Sequence, residues 1–90
     1  MKSKITKEFR ELLNQLPLET RRQAYAAYRL FKANPYHAGL HFKRVITDPP
    51  IYSARVGLHH RVVGVRRSSD TIVWFWIGTH AEYDKNLSHW

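Results

Sequence analysis

The residues of this chain that could do chemistry lie between positions 43 and 83, where arginines and histidines stand among apolar residues. Arginine can hold a phosphate through two hydrogen bonds, and histidine can give or take a proton near neutral pH. Phosphodiester cleavage without a metal needs such groups: cations for the phosphate oxygens, a base for the attacking hydroxyl and an acid for the leaving oxygen. The candidate catalytic residues are Arg61, His80 and Tyr83. The candidate substrate-binding residues are Arg55, His59, His60, Lys43 and Arg44.

The first elements that must position these residues are two amphipathic helices. The apolar residues of the first recur at helical spacing and are Phe9, Leu12, Leu13 and Leu16. Thr6 is suited to cap this helix, and Pro17 ends it. A second helix is predicted from about Leu18 to Ala33. Because few residues join the two helices, we expect an antiparallel hairpin.

Beyond the loop at residues 35–39 the apolar period changes from 3.6 to 2, which indicates β-strands. Four strands are predicted, at His41–Ile46, Ile51–Gly57, Arg61–Arg66 and Thr71–Ile77. Their short connections require antiparallel neighbours. The last strand is apolar on both faces, as in a covered central strand, and regular alternation places Trp74 and Trp76 on one face.

Thr79-His80-Ala81-Glu82 forms a capping box and predicts a short C-terminal helix. The fold class is therefore α+β, an N-terminal helix hairpin packed on a small antiparallel sheet of about four strands. Arg61 begins one strand, and His80 follows the strand after it. If those two strands pair, the two side chains converge on one rim of the sheet. We expect a single domain over residues 1–90, because a chain of this size has room for one core.

The composition limits the classes of partner and of chemical site that this chain can have. Fifteen Lys and Arg against seven Asp and Glu give a net charge of +8, which favours a polyanion such as nucleic acid, an anionic membrane or an acidic protein. The absence of cysteine excludes disulfides, thiolate metal sites and thiol catalysis. His37 and His41 have a spacing that would suit zinc on a helix, but Pro35 and Gly39 argue against a helix there. We expect no metal, no cofactor, no membrane segment and a cytoplasmic location.

Several short motifs follow one another in a specific order across roughly residues 5–87. They are Ile5-Thr6 running into Phe9, Leu16-Pro17, Phe31-x-x-Asn34-Pro35, the stretch Ile51–Gly57, Arg61-Val62-Val63, and Trp76-Ile77-Gly78-Thr79-His80-x-x-Tyr83. In this order they resemble the RelE/ParE toxin superfamily of bacterial type II toxin–antitoxin systems. The resemblance implies an antiparallel sheet with the helix hairpin on one face and a concave basic face opposite. It also implies one of two activities, ribosome-dependent mRNA cleavage or inhibition of DNA gyrase.

The resemblance also implies roles for the candidate residues. The phosphate-stabilising arginine of the family corresponds to Arg61, its terminal basic or imidazole position to His80, and the aromatic position after it to Tyr83. We interpret Arg61 as the transition-state clamp, His80 as acid or base, and Tyr83 as an orienting or stacking group. The structural alternatives are that Arg61 holds a carboxylate or carbonyl at the sheet edge, that His80 is an ordinary exposed residue of the first turn, and that Tyr83 packs in the core with Leu87, which is the more frequent role of a tyrosine at that spacing. Arg55 matches a strand arginine whose role could be structural.

Two features depart from the family pattern. Only four residues precede Ile5, so the usual first edge strand is predicted to be short or absent, and Tyr52, Ser53 and Ala54 stand where related ribonucleases often carry lysines. Our first hypothesis is a RelE-like mRNA endonuclease that acts on the ribosome and is neutralised by an acidic antitoxin. The alternatives are a ParE-like gyrase inhibitor and a catalytically inert domain that binds RNA or a protein.

Overall fold

The computed structural model describes residues 1–90. Along the chain a short strand is followed by two helices, four strands and a final helix. The elements are β1 (Lys2–Ile5), α1 (Lys7–Asn14), α2 (Leu18–Ala33), β2 (Lys43–Ile46), β3 (Ile51–Val56), β4 (His60–Ser68), β5 (Thr71–Thr79) and α3 (His80–Asn86), with 3₁₀ turns at Ala38–Leu40 and Leu87–His89. The predicted α+β class is confirmed.

The five strands form one sheet in the order β1-β5-β4-β3-β2. The predicted antiparallel pairing among the four strands β2, β3, β4 and β5 is confirmed. The first edge strand, predicted to be short or absent, is the four-residue β1, and its parallel pairing with β5 makes the sheet mixed. The parallel direction is available because the whole helix hairpin separates β1 from the rest of the sheet. Four residues suffice for this edge. A hydrogen bond of 2.7 Å from the Trp74 indole N–H to the Ser3 hydroxyl joins the two strands further.

The helices begin and end where the sequence predicts. The Thr6 hydroxyl accepts a hydrogen bond of 3.1 Å from the backbone N–H of Phe9, and α2 covers the predicted residues. Both helices lie on one face of the sheet, where Phe9 and Phe31 are buried against Trp74 and other core residues. The 3₁₀ turn after α2 shortens the predicted first antiparallel strand, which starts at Lys43 rather than at residue 41. No helix is both long and apolar enough to cross a membrane.

The other face of the sheet is divided between two kinds of surface. Tyr83 of α3 packs on Ile51 and Val63, and Trp90 lies against Phe75 and Trp76 with ring centroids 5.8 and 5.1 Å apart. The basic face that the resemblance implies is therefore aromatic beneath α3 and the C-terminal turn. Its cationic part includes the opposed Arg55 and Arg61 at the end where β3 turns into β4.

A β-bulge in β5 overturns the predicted placement of Trp76. Val63 pairs with Trp76 and Gly64 with Trp74, so Phe75 is an extra residue in the ladder. A bulge of this kind reverses the alternation of side chains that follow it. Trp74 consequently faces the helix hairpin, whereas Trp76 faces the C-terminal turn.

Candidate functional site

Arg55 and Arg61 form a cross-strand pair at the centre of the candidate site. They are directly opposed in the antiparallel register of β3 and β4, so their side chains leave the same face of the sheet. Neither forms an ion pair. The buried Nε of Arg55 has no hydrogen-bond partner, and Arg61 makes only a long contact of 3.4 Å from Nη1 to the His60 carbonyl. Donors left without partners in this way are suited to an anion with several oxygens, such as a phosphate.

The electrostatics of Arg61 reflect its crowded position. Burial lowers the pKa of Arg61, the charge of Arg55 lowers it further, and Tyr83 and Asp84 act in the opposite direction. A guanidinium nevertheless stays protonated in proteins. The pair is therefore a doubly positive spot that its own surroundings do not neutralise.

His80 is fixed in place by the start of α3. It follows the N-cap Thr79, whose backbone N–H donates to the Glu82 carboxylate at 2.8 Å while its hydroxyl accepts from the Glu82 N–H at 3.1 Å. The backbone N–H of His80 donates to the carbonyl of His59 at 2.8 Å. The predicted capping box is thus confirmed, and it ties the start of α3 to the turn between β3 and β4.

The imidazole of His80 contacts a carboxylate on the next turn of the helix. Its Nδ1 lies 3.2 Å from Asp84 Oδ2, and the two side chains are 50% and 60% exposed. With a hydrogen on Nδ1, this contact is a hydrogen bond to the carboxylate, and Nε2 is not engaged by it. The imidazole is therefore accessible to solvent and has one carboxylate contact.

The strand pairing brings these two features to one rim. In the β4–β5 register His60 is opposite Thr79 and Arg61 is opposite Gly78. The prediction that Arg61 and His80 lie at one end of paired strands is confirmed. Their catalytic roles stay a prediction.

Tyr83 connects the rim to the core. Its side chain is 6% exposed, and its ring centroid lies 6.0 Å from that of His80 and 5.9 Å from that of Trp90. A nucleic-acid base has no access to a ring buried on this scale. The burial of Tyr83 agrees with the alternative that it packs in the core, and its role in orienting His80 stays a prediction.

The two remaining cationic candidates, Lys43 and Arg44, lie on opposite faces of the sheet. Lys43 is opposite Ser53 and so shares the face of Arg55 two positions along β3, whereas Arg44 is opposite Tyr52 on the other face and donates to the Thr47 carbonyl at 2.6 Å. The structure therefore separates Arg44 from the candidate site.

The two histidines of the β3–β4 turn lie at the rim itself. His59 is exposed, and His60 is half-buried opposite Val56, on the face that the helix hairpin covers. Burial lowers the pKa of His60 and His59 lowers it further, while Glu82 opposes both effects. The turn thus adds one exposed and one partly desolvated imidazole next to the arginine pair.

Sequence reasoning missed Asp84 as the partner of His80. The signal was available, because residues four apart on a helix lie on the same face. The structure contains no group of three or more His, Cys, Asp or Glu side chains arranged to bind a metal ion.

Residues 18–85 match the family model described as the ParE-like toxin domain. No curated protein sequence matches the chain.

Among solved structures, the RelB–RelE antitoxin–toxin complex from Methanococcus jannaschii is similar at 20% identity and a TM-score of 0.70, covering 91% of this chain and 96% of that chain. The archaeal RelE–RelB complex from Pyrococcus horikoshii OT3 is 21% identical with a TM-score of 0.68, covering 87% of this chain and 92% of that one. The YoeB/ParE toxin from Agrobacterium tumefaciens is 18% identical with a TM-score of 0.66, covering 89% and 99%. At these identities the likeness establishes a common fold.

Proposed function

We propose that this chain, which belongs to the ParE-like toxin domain family, is the toxin of a toxin–antitoxin pair and cleaves mRNA on the ribosome. The observation that carries the proposal is the unneutralised Arg55–Arg61 pair on the rim from which His80 projects. The arginine pair binds the phosphate and His80 transfers a proton, and phosphodiester cleavage requires both functions.

In the proposed reaction a ribose 2′-oxygen attacks the adjacent phosphorus and the bond from phosphorus to the 5′-oxygen breaks. The products are a 2′,3′-cyclic phosphate and a free 5′-hydroxyl. The proton of the 2′-hydroxyl passes to a base, and the leaving oxygen takes a proton from an acid. His80 Nε2 performs one of these transfers, Arg61 stabilises the charge on the phosphate oxygens with Arg55 beside it, and Tyr83 helps to orient the imidazole.

The partner in this proposal is an acidic antitoxin. The similar structures from Methanococcus jannaschii and Pyrococcus horikoshii are complexes of RelE with RelB. A net charge of +8 favours an acidic partner, since complementary charge speeds association and selects against wrong partners. The same charge favours binding to the ribosome and its mRNA.

Inhibition of DNA gyrase is the second candidate function. The ParE-like description of the matching family model favours it. The burial of Tyr83 also favours it, because a base then cannot stack on this tyrosine.

Cleavage of mRNA on programmed ribosomes by the purified protein tests the proposal. Arg61→Ala and His80→Ala should each lower the cleavage rate at least 100-fold. Arg44→Ala is the matched control, since Arg44 is also a strand arginine but lies on the other face, and it should retain activity within about threefold. Gyrase supercoiling assays run in parallel: gyrase inhibition without cleavage would select the second candidate, and neither activity would leave an inert binding domain.

A further inference from the structure

The turn between β3 and β4 carries the most exposed of the large apolar side chains. Leu58 is 78% exposed, compared with 64% for Tyr36 and 54% for Leu18. It stands in the middle of the connection at residues 57–59, which joins the two strands. Glycine, asparagine, aspartate and serine are the usual residues of such a turn. Turn chemistry therefore does not account for a leucine at this position.

The turn is held from both sides. The backbone carbonyl of His59 accepts a hydrogen bond of 2.8 Å from the backbone N–H of His80 at the start of α3. On the other side, the amide of Gln23 on α2 occupies the space that a side chain at Gly57 would need. The backbone of Leu58 is therefore fixed while its side chain is in solvent, and a contact prepared in this way loses less entropy on binding.

The arginine pair lies close to this leucine. Val56 is opposite His60 at the end of the ladder, and Arg55 is opposite Arg61 one position further from the turn. At the rise of a β-strand, Leu58 is roughly 7–10 Å from the arginine pair along the strand direction. A phosphate bound by the two arginines would therefore have one of its flanking nucleosides near the leucine.

The surroundings of Leu58 are polar and cationic. His59 beside it is exposed, and the arginine pair forms no ion pair. The carboxylates of Glu82 and Asp84 on α3 are engaged by the capping box and by His80. A single leucine in this setting does not form the contiguous apolar patch of a protein interface. An apolar side chain beside phosphate-binding groups is instead typical of proteins that insert a wedge between bases.

The proposed cleavage reaction needs an RNA step that is not stacked. Attack on the phosphorus requires the 2′-oxygen, the phosphorus and the departing 5′-oxygen to lie nearly in line. In a stacked A-form strand these three atoms are far from a line, so the two nucleosides must turn apart before the bond breaks. Unstacking costs least in a strand that is already single.

We propose that Leu58 is a wedge that enters between two neighbouring bases of single-stranded RNA and holds the step at the Arg55–Arg61 pair unstacked. The inference rests on the function proposed above and adds how the substrate is positioned. The arginines fix the phosphate, and the leucine sets the conformation of the two nucleosides on either side of it. Leu58 takes no part in proton transfer and is a substrate-positioning residue.

An RNA that cannot be cleaved tests the wedge. The probe is a short oligoadenylate with 2′-O-methyl groups throughout and one central 2-aminopurine, whose fluorescence is quenched while it is stacked on its neighbours. Binding to the wild-type protein should raise the emission at saturation at least twofold. Leu58→Ala should bind with an affinity within threefold of the wild type but show less than half of this rise. Leu58→Met keeps a long apolar side chain and should restore most of it.

Two control variants separate the wedge from other effects. Leu30→Ala removes another exposed leucine, on α2, and should change neither the affinity nor the emission. Arg61→Ala should weaken binding at least tenfold without changing the emission at saturation, because it removes a phosphate contact and leaves the wedge. The urea midpoint of Leu58→Ala should equal that of the wild type, since the leucine buries little surface.

Cleavage on programmed ribosomes gives a second readout. Leu58→Ala should lower kcat at least tenfold and leave KM within threefold, because the wedge acts on the conformation that reacts. Equal rates for the wild type and Leu58→Ala would overturn the wedge and uphold the enzymatic function. An emission rise that depends on Leu58 in a protein that does not cleave mRNA would uphold the wedge and contradict the enzymatic function.

Three further results would overturn the inference. The first is equal emission at saturation for the wild type and Leu58→Ala, and the second is no binding of the oligonucleotide by the wild type. The third is a loss of gyrase inhibition in Leu58→Ala with unchanged emission, which would assign the leucine to a contact with a protein.

Discussion

Arg55 on β3 and Arg61 on β4 are directly opposed across the sheet, and no carboxylate forms an ion pair with either. Like charges directly opposite on one face destabilise an antiparallel pair. A fold selected for stability alone would place an opposite charge or an apolar residue at one of these positions. The arrangement therefore has the character of a site whose partner is an external anion.

Replacing Arg61 should raise the stability of the protein and lower its cleavage activity. Arg61→Gln removes one of the two opposed charges, so we expect the free energy of unfolding to rise by about 0.2–1 kcal/mol while cleavage falls at least 100-fold. Urea unfolding followed by tryptophan fluorescence measures the first effect. Arg44→Gln, on the other face, should change neither quantity. A loss of stability in Arg61→Gln would show that the pair is held by favourable contacts instead.

The contact between His80 and Asp84 predicts a graded loss of activity. Asp84→Asn keeps the size of the side chain but removes the carboxylate that orients the ring, and we expect about a tenfold lower cleavage rate against at least 100-fold for His80→Ala. Because Asp84 acts through His80, adding Asp84→Asn to His80→Ala should cause no further loss. Asp48→Asn, at an exposed aspartate far along the chain, is the matched control. Additive losses in the double variant would assign Asp84 a role of its own.

The capping box should stabilise the fold and hold His80 in position at the start of α3. Thr79→Ala removes the hydroxyl that accepts from the Glu82 N–H, which costs about 1 kcal/mol at a typical N-cap. It also loosens the start of α3, so cleavage should fall together with stability. Thr79→Ser keeps the acceptor and should restore both. If Thr79→Ala lowered stability alone, the position of His80 would have to be set by its hydrogen bond to the His59 carbonyl.

Local signals in the sequence predicted much of this arrangement. The caps of α1 and α3, both ends of α2 and the turn between β3 and β4 each depend on residues within a few positions of one another. They could be predicted because propensity, capping and turn chemistry act over that range. The convergence of Arg61 and His80 followed from short turns in the same way.

The features that sequence reasoning missed depend on contacts between distant parts of the chain. The bulge at Phe75 inverts the side-chain alternation, which a strict period of two cannot anticipate. The pairing of β1 with β5 joins residues about 70 positions apart.

Gly57 is predicted to be intolerant of a side chain. Its φ is +59°, in the left-handed region, and a Cβ there would collide with the amide of Gln23 on α2. We expect Gly57→Ala to lower the free energy of unfolding by at least about 1–2 kcal/mol, the usual cost of the left-handed conformation alone. Adding Gln23→Ala should recover the steric part of the loss but not the conformational part. Gly39→Ala, without a positive φ, is the control, and an equal effect of the two alanines would contradict this account.

His60 should make stability depend on pH between about 5.5 and 7.5. Burial first, and the charge of His59 second, lower the pKa of folded His60 below its ordinary value of 6.5, with Glu82 acting against both. The unfolded chain therefore binds more protons than the folded chain in this range, so the free energy of unfolding rises with pH and falls as the pH drops through 6.5.

His60→Gln should flatten this dependence in urea titrations at pH 5.5, 6.5 and 7.5, since the other five histidines are common to both proteins. Measurements stay above pH 5 because Glu82, whose pKa is lowered from 4.5 by its hydrogen bond from the Thr79 backbone, loses its own stabilising contribution at lower pH. Parallel curves for the wild type and His60→Gln would show that the folded state does not discriminate between the two charge states of His60.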